Sequence, residues 1–183
     1  MLILSANGQG LNSLTSLTVE AGAVVYVDND MKNDVGGTIL NDGEIRITGD
    51  FNNLGTEEIN GLVVLEGTGA QTLTGVSAFN GVLEVDKSTG GASVPSGTTK
   101  VGGILRLAEG TINANSNLVI SSDAVRTGLV DDFSDPSYDA TLTGNLRVQR
   151  YITGVAGFHY IGSAVNTANV SELSSLGLYG PDG

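Results

Sequence analysis

A short apolar phrase recurs along the chain, and each copy is followed by Gly, Asn or Asp. The copies occupy residues 17–22, 44–50, 62–67, 82–86 and 104–110. With Ile45, Val63, Leu83 and Leu105 as landmarks, the spacing is 18, 20 and then 22 residues. A period of about 20 residues is typical of solenoids, in which each coil buries its apolar face only against its neighbours. The repeat therefore constrains the architecture and does not indicate an activity.

Apolar and polar residues alternate within the phrases, which is the pattern of a half-buried strand. In residues 44–48, Ile45 and Ile47 fall on one side, and Glu44, Arg46 and Thr48 on the other. Later phrases repeat the arrangement, with Leu83, Val85, Leu105 and Leu107 inward and Glu84 and Arg106 outward. No segment of helical length has an apolar stripe at three-four spacing between capping residues. The pattern predicts an all-β chain.

The corners of the repeat favour stacked coils over hairpins. Asn60-Gly61 and Asn80-Gly81 hold the same place in successive repeats, just before Leu62 and Val82. Coil corners are expected to match in this way, whereas the hairpin loops of a sandwich or barrel need not. We therefore predict a right-handed parallel β-helix, a solenoid, over residues 1–140. A sandwich or barrel of short strands is the alternative.

The last part of the chain differs in composition. Residues 147–160 concentrate aromatic and basic side chains, after a polar stretch at 130–139 that is expected to be an excursion loop. We predict that residues 141–183 form a C-terminal β cap or the start of a following module. Met1-Leu2-Ile3-Leu4 and the final Gly-Pro-Asp-Gly are expected to be cut edges. The predicted partners are therefore neighbouring domains of the same polypeptide.

Composition and charge exclude several classes of function. The chain has 27 Gly and no Cys, which suits tight corners and excludes disulfides and catalytic thiols. Against 20 Asp and Glu there are 8 Lys and Arg, a net charge of −12 that disfavours nucleic acid as a partner. Apolar runs end after a few residues, so no membrane insertion is expected.

Several phrases resemble repeats of secreted surface proteins of Bacteroidota. The resemblance rests on residues 69–75 (GAQTLTG), 79–85 (FNGVLEV), 101–107 (VGGILRL) and 110–113 (GTIN), and on 143–152 and 157–165 near the end. It spans residues 14–165. In that group such phrases alternate through Gly-rich β-helical arrays of large type IX secretion cargo proteins with adhesive or unassigned roles. The resemblance implies an extracellular location, at the outer cell surface.

Two acidic clusters are candidate calcium sites. Calcium takes six to eight oxygen ligands, and alternate side chains in a turn supply several. The first cluster is Asp28, Asp30 and Asp34, and the second is Asp131, Asp132 and Asp135. Lys32 lies inside the first cluster, and Asn33 stands where the EF-hand signature has Gly. The alternative is a solvated coil corner, so Ca²⁺ is a possible cofactor and no other is expected.

Parallel β-helices include polysaccharide lyases and hydrolases, whose sites need paired carboxylates on one face. A column of outward charges on stacked strands would contain Glu44, Arg46, Glu66, Glu84, Asp86 and Arg106. An ordinary solvated sheet face with cross-strand ion pairs has the same pattern, and no residue is assigned as catalytic. The lone His159 cannot build a metal site.

Aromatic residues near the end are candidate ligand-binding groups. Tyr151, Phe158 and Tyr160 would offer faces for stacking on sugars. They would otherwise pack a cap over the last coil. Together these observations predict a non-catalytic stalk or adhesin module of a larger exported surface protein. The alternative is an extracellular module that binds or cleaves a polysaccharide.

Overall fold

The computed structural model describes residues 3–7, 10–13, 15–131 and 140–151, which belong to one compact unit, Met1–Tyr151. These residues form strands joined by turns, with no helix among them. Their strands are β1 (Ile3–Asn7), β2 (Leu11–Ser13), β3 (Ser16–Val19), β4 (Val24–Asp28), β5 (Met31–Asn33), β6 (Thr38–Asn41), β7 (Glu44–Ile47), β8 (Phe51–Asn53), β9 (Thr56–Ile59), β10 (Leu62–Glu66), β11 (Gln71–Phe79), β12 (Val82–Asp86), β13 (Ala92–Ser93), β14 (Thr98–Val101), β15 (Ile104–Glu109), β16 (Thr111–Asn113), β17 (Leu118–Ile120), β18 (Leu129–Val130), β19 (Thr141–Thr143) and β20 (Arg147–Val148).

The strands stack in three parallel rows, and three consecutive segments make one coil. Face 1 contains β1, β4, β7, β10, β12, β15 and β18. Face 2 contains β2, β5, β8, the first part of β11, β13, β16 and β19, and face 3 contains β3, β6, β9, the second part of β11, β14, β17 and β20. Strand β11 runs through the corner between faces 2 and 3, where Gly75 has φ +82.

The register of face 1 confirms the predicted solenoid. The four landmarks Ile45, Val63, Leu83 and Leu105 are paired in direct succession on neighbouring strands. Each is at most 2% exposed, so they form one column of the core. Parallel pairing of consecutive coils excludes the alternative of hairpins in a sandwich or barrel.

The first apolar phrase lies on a different face from the others, so its prediction was wrong. The sequence puts residues 17–22 in the same series as Ile45, but Leu17 lies in β3 on face 3 and pairs with Ile39. The face 1 counterpart of Ile45 is Val25, eight residues later. Alternation identifies a strand and its inward side, whereas the face it occupies depends on how many corners precede it.

Apolar columns fill the interior of the coils. On face 3, Ile59, Phe79, Val101 and Ile120 are stacked in register and are each at most 1% exposed. Phe79 also meets Phe51 of the preceding coil, with ring centroids 6.1 Å apart in a tilted arrangement. A coil removed from the stack would expose this surface, so the coils stabilise one another.

Glycines occupy the corner between faces 3 and 1 because the backbones of successive coils approach closely there. The N–H of Leu62 donates to the carbonyl of Gly43, and that of Val82 to Gly61. A Cβ on Gly61 would lie 2.1 Å from the Gly43 oxygen, and one on Gly81 would lie 2.1 Å from the Gly61 oxygen. This geometry confirms that Asn60-Gly61 and Asn80-Gly81 are equivalent coil corners.

The start of the predicted C-terminal segment is paired with the coils. Strand β19 pairs in parallel with β16, and β20 with β17. Residues 152–183 and the loop residues 132–139 lie outside the described residues, so the boundary at 140 stays a prediction. The described residues contain no helix that could cross a membrane.

Candidate functional site

The outward charges of face 1 form two clusters of ion pairs. Arg46 bonds Glu44 on its own strand, and its Nη1 lies 2.7 Å from Oε2 of Glu66 on the next strand. In the second cluster, Arg106 Nη1 lies 2.9 Å from Oε2 of Glu84, and its Nε lies 3.0 Å from Oδ2 of Asp131. These four carboxylates are therefore each held by an arginine.

An apolar residue interrupts the predicted charge column. Val64 holds the outward position between Arg46 and Glu84 in the register, yet it is 0% exposed. Neighbouring side chains on face 1 must therefore cover it. The structure brings together the charged residues singled out in the sequence as two separate groups rather than as one continuous column.

A lysine that sequence analysis did not select is buried inside the coils. Lys87 is 0% exposed, and its Nζ donates to Gln71 Oε1 at 2.6 Å and to the backbone carbonyl of Glu66 at 2.9 Å. Gln71 is oriented in turn by donating to the carbonyls of Ile47 and Gly49. Burial lowers the pKa of Lys87, against the attraction of Glu66. A polar residue after a strand suggests solvent exposure, so the pattern contained no signal for this burial.

A second polar group replaces apolar residues at the corner between faces 2 and 3. Asn33 donates to Asn53 Oδ1 at 2.7 Å, and Asn53 donates to the Val76 carbonyl and to Glu57. Glu57 pairs in register with the buried Ile39, so it holds an inward position, and it accepts the N–H of Ala78 at 2.9 Å. Burial raises the pKa of Glu57. Both polar groups stabilise corners rather than offering reactive groups to solvent.

The described calcium candidates bind different partners. Asp28 accepts from the Thr48 hydroxyl at 3.3 Å, Asp30 accepts the Asp50 N–H at 2.8 Å, and Asp34 pairs with Lys32 at 2.6 Å. In residues 3–131 and 140–151, as far as they are described, no three acidic or His groups are placed to hold a metal ion. Asp131 pairs with Arg106.

The other members of the second acidic cluster, Asp132 and Asp135, lie outside the described residues. Calcium binding therefore stays a prediction.

A shallow open groove of about 230 Å³ lies beside the last strands of face 3. Its polar lining consists of Asn80, Lys100, Ser121, Ser122, Asp123 and Gln149. Asp123 accepts the N–H groups of Val125 and Arg126, both at 2.7 Å, and these hydrogen bonds lower its pKa. The groove thus combines a fixed carboxylate, an exposed ammonium, amides and hydroxyls.

One predicted ligand-binding aromatic lies next to the groove. The N–H of Tyr151 donates to the Ser122 hydroxyl at 3.1 Å, and the residue is 50% exposed. Phe158 and Tyr160 lie outside the described residues. Sequence analysis selected Tyr151 for its ring, and it missed the groove residues because they come from separate coils.

The three stacked rows define this chain as a β-solenoid protein. No family model matches the chain, and no curated protein or solved structure matches it either. The resemblance to Bacteroidota surface proteins therefore stays a prediction.

Proposed function

We propose that this chain is a non-catalytic stalk segment with an adhesive role in a larger exported protein of the outer cell surface. The observation that carries this proposal is the continuous parallel pairing of face 1 from β1 to β18, in which the register shifts once, at a bulge between Val85 and Asp86. Seven strands at a spacing of about 4.8 Å span about 29 Å along the stack. Neighbouring domains of the same polypeptide would extend this length at either end.

The charges of face 1 support a structural role. A glycosidase or lyase site needs carboxylates free to act on a sugar, with separations suited to the reaction. Glu44, Glu66, Glu84 and Asp131 instead bond Arg46 or Arg106 across strands. Cross-strand pairs of this kind stabilise the outer surface of a sheet modestly.

Duplication of whole coils tests the stalk. Residues 44–103 comprise three coils, and repeating them joins Gly103 to Glu44 as Gly43 is joined in the natural chain. Small-angle X-ray scattering should show the maximum dimension growing by about 14 Å with an unchanged cross-section. A cross-section that widens would contradict the proposal.

A second assay tests the absence of catalysis. The chain is incubated with acidic and neutral polysaccharides, and reducing ends and unsaturated uronates are measured. We expect no product. Release of product that is lost in Glu84→Gln would instead favour the polysaccharide-cleaving alternative.

A further inference from the structure

The cations of the chain fall into two groups with different surroundings. All eight lie in the described residues, and four of them are engaged in pairs or buried. These four are Lys32, Arg46, Lys87 and Arg106. The other four are exposed and have no carboxylate within ion-pair distance among the described residues. They are Lys100, Arg126, Arg147 and Arg150.

The second group surrounds the groove. Lys100 lines it and lies in register with Arg147 two strands away on face 3, and Val119 between them is only 1% exposed, so other side chains cover the sheet there. Two strand spacings put their backbones about 10 Å apart. Arg150 follows the lining residue Gln149 and donates to the Gly128 carbonyl at 3.4 Å.

The loop beside the groove adds the remaining cation. Arg126 lies three residues from Asp123, and its charge acts on that carboxylate. Asp123 is the one acidic residue among those that line the groove. Among the described residues, Lys100 and Asp123 thus line the groove, and Arg126, Arg147 and Arg150 lie near it in sequence or register, in a chain of net charge −12.

The uncharged lining is suited to hydroxyl groups. Asn80 and Gln149 present amides that both donate and accept, and Ser121 presents a hydroxyl. The half-exposed Tyr151 donates its backbone N–H to the hydroxyl of the lining residue Ser122. Cations set among hydroxyl-binding groups match a sugar chain that bears carboxylates or sulfates.

We propose that this groove binds an anionic oligosaccharide, with Lys100 and Arg147 contacting its acidic groups and Asn80 and Gln149 its hydroxyls. The proposal rests on the adhesive part of the proposed function and names its ligand. The acidic residues of distant coils oppose binding weakly, because salt screens charges beyond about 8 Å at physiological ionic strength.

Titration with defined oligosaccharides tests the site. Hexamers of galacturonate, of chondroitin sulfate and of neutral cellulose are titrated into the whole chain by calorimetry at 50 and 500 mM NaCl. We expect one of the acidic hexamers to bind and the neutral hexamer not to bind, with weaker binding at high salt. Binding of the galacturonate hexamer shows that carboxylates suffice, whereas binding of the chondroitin sulfate hexamer alone shows that sulfates are needed.

Matched variants locate the site. Lys100→Gln removes a charge-assisted hydrogen bond to an acidic group of the ligand, and it should weaken binding about tenfold. Lys32→Gln removes an exposed cation that is paired with Asp34, and it should leave binding unchanged. Tyr151→Ala should also weaken binding if the ring stacks on the sugar.

Three results would overturn the proposal. The first is no binding of either acidic hexamer at millimolar concentration. The second is equal binding by the neutral hexamer, and the third is an unchanged Kd in Lys100→Gln. Duplex DNA that competes and loses affinity in Lys100→Gln would replace the glycan with nucleic acid. None of these results changes the scattering test of coil duplication, so failure of the stalk is seen separately.

Discussion

Replacing one corner glycine, Gly81→Ala, tests the close approach of successive coils. The added Cβ would lie 2.1 Å from the carbonyl oxygens of Asn60 and Gly61, and an ordinary contact is 3.4 Å or more. The corner must therefore open by about 1.3 Å, the difference of those two distances. The Val82 N–H to Gly61 bond, now 3.0 Å, would then pass 4 Å and break.

The free-energy cost follows from the bonds at that corner. The N–H groups of Gly81 and Val82 donate to Ile59 and Gly61, both at 3.0 Å. Two lost bonds cost about 0.5–1.5 kcal/mol each, and a carbonyl left unpaired adds about 1–3 kcal/mol. We expect Gly81→Ala to lower the free energy of unfolding by about 2–6 kcal/mol.

Gly69→Ala is the matched control. A Cβ on Gly69 would have no atom within 4 Å, and neither Gly69 nor Gly81 has a positive φ. The two substitutions therefore share the same chemistry, neither requires a left-handed backbone, and they differ in the space around the added Cβ. Since alanine restricts the unfolded chain, Gly69→Ala should be neutral or stabilise by up to about 1 kcal/mol.

Urea unfolding followed by circular dichroism measures both variants. In a chain of this size about 1 kcal/mol moves the Tm by 2–4 °C, so a thermal scan should show Gly81→Ala melting roughly 4–24 °C lower. Native-state hydrogen exchange should show faster exchange at the Val82 amide. Equal stability of the two variants would refute the steric account of the corner.

Three further predictions concern the interior. Burial lowers the pKa of Lys87 in the native state, so the unfolded state binds more protons up to the unfolded-state pKa of this lysine, about 10.4. The stability of the wild type relative to Lys87→Met should therefore rise with pH toward that value. Urea midpoints whose difference is constant from pH 8 to 10 would contradict this. Burial raises the pKa of Glu57, so the contribution of this side chain to wild-type stability falls as pH rises above about 4.3. The gain in unfolding free energy of Glu57→Gln over the wild type should therefore be larger at pH 7 than at pH 4. An equal gain at both pH values would argue against this effect of burial on the carboxylate. Phe79→Ala should cost about 3–5 kcal/mol in chemical denaturation, whereas Val76→Ala, at a site 63% exposed, should change little, and similar losses would exclude the proposed core column.

The repeat was the most predictive feature of the sequence. Ile45, Val63, Leu83 and Leu105 were selected by spacing, and they are stacked in register. Prediction was wrong at residues 17–22, because a short alternating strand does not indicate its face. The equivalence of Asn60-Gly61 and Asn80-Gly81 was recognised from their common place before Leu62 and Val82. This place is constant in the sequence because the close approach of the coils there leaves room for glycine alone.

The candidate site was predicted only in part. Tyr151 was selected as an aromatic residue, and the structure places it beside Ser122, 29 residues away. Lys100 and Asp123 were not selected, since neither stands in a recognisable motif. Periodicity could not reveal the buried Lys87, because its partner Gln71 is reached around a corner rather than along a strand.

Local chemistry accounts for the coil. Alternation separates inward from outward residues, and the period of about 20 residues makes each coil depend on its neighbours. Tertiary structure alone decided which side chains meet between coils. The offset between stacked residues varies from 18 at Ile45–Val63 to 30 at Ile112–Leu142, because corners differ in length. Ion pairs, the buried lysine and the groove depend on those offsets, and an offset is set by packing of the whole stack.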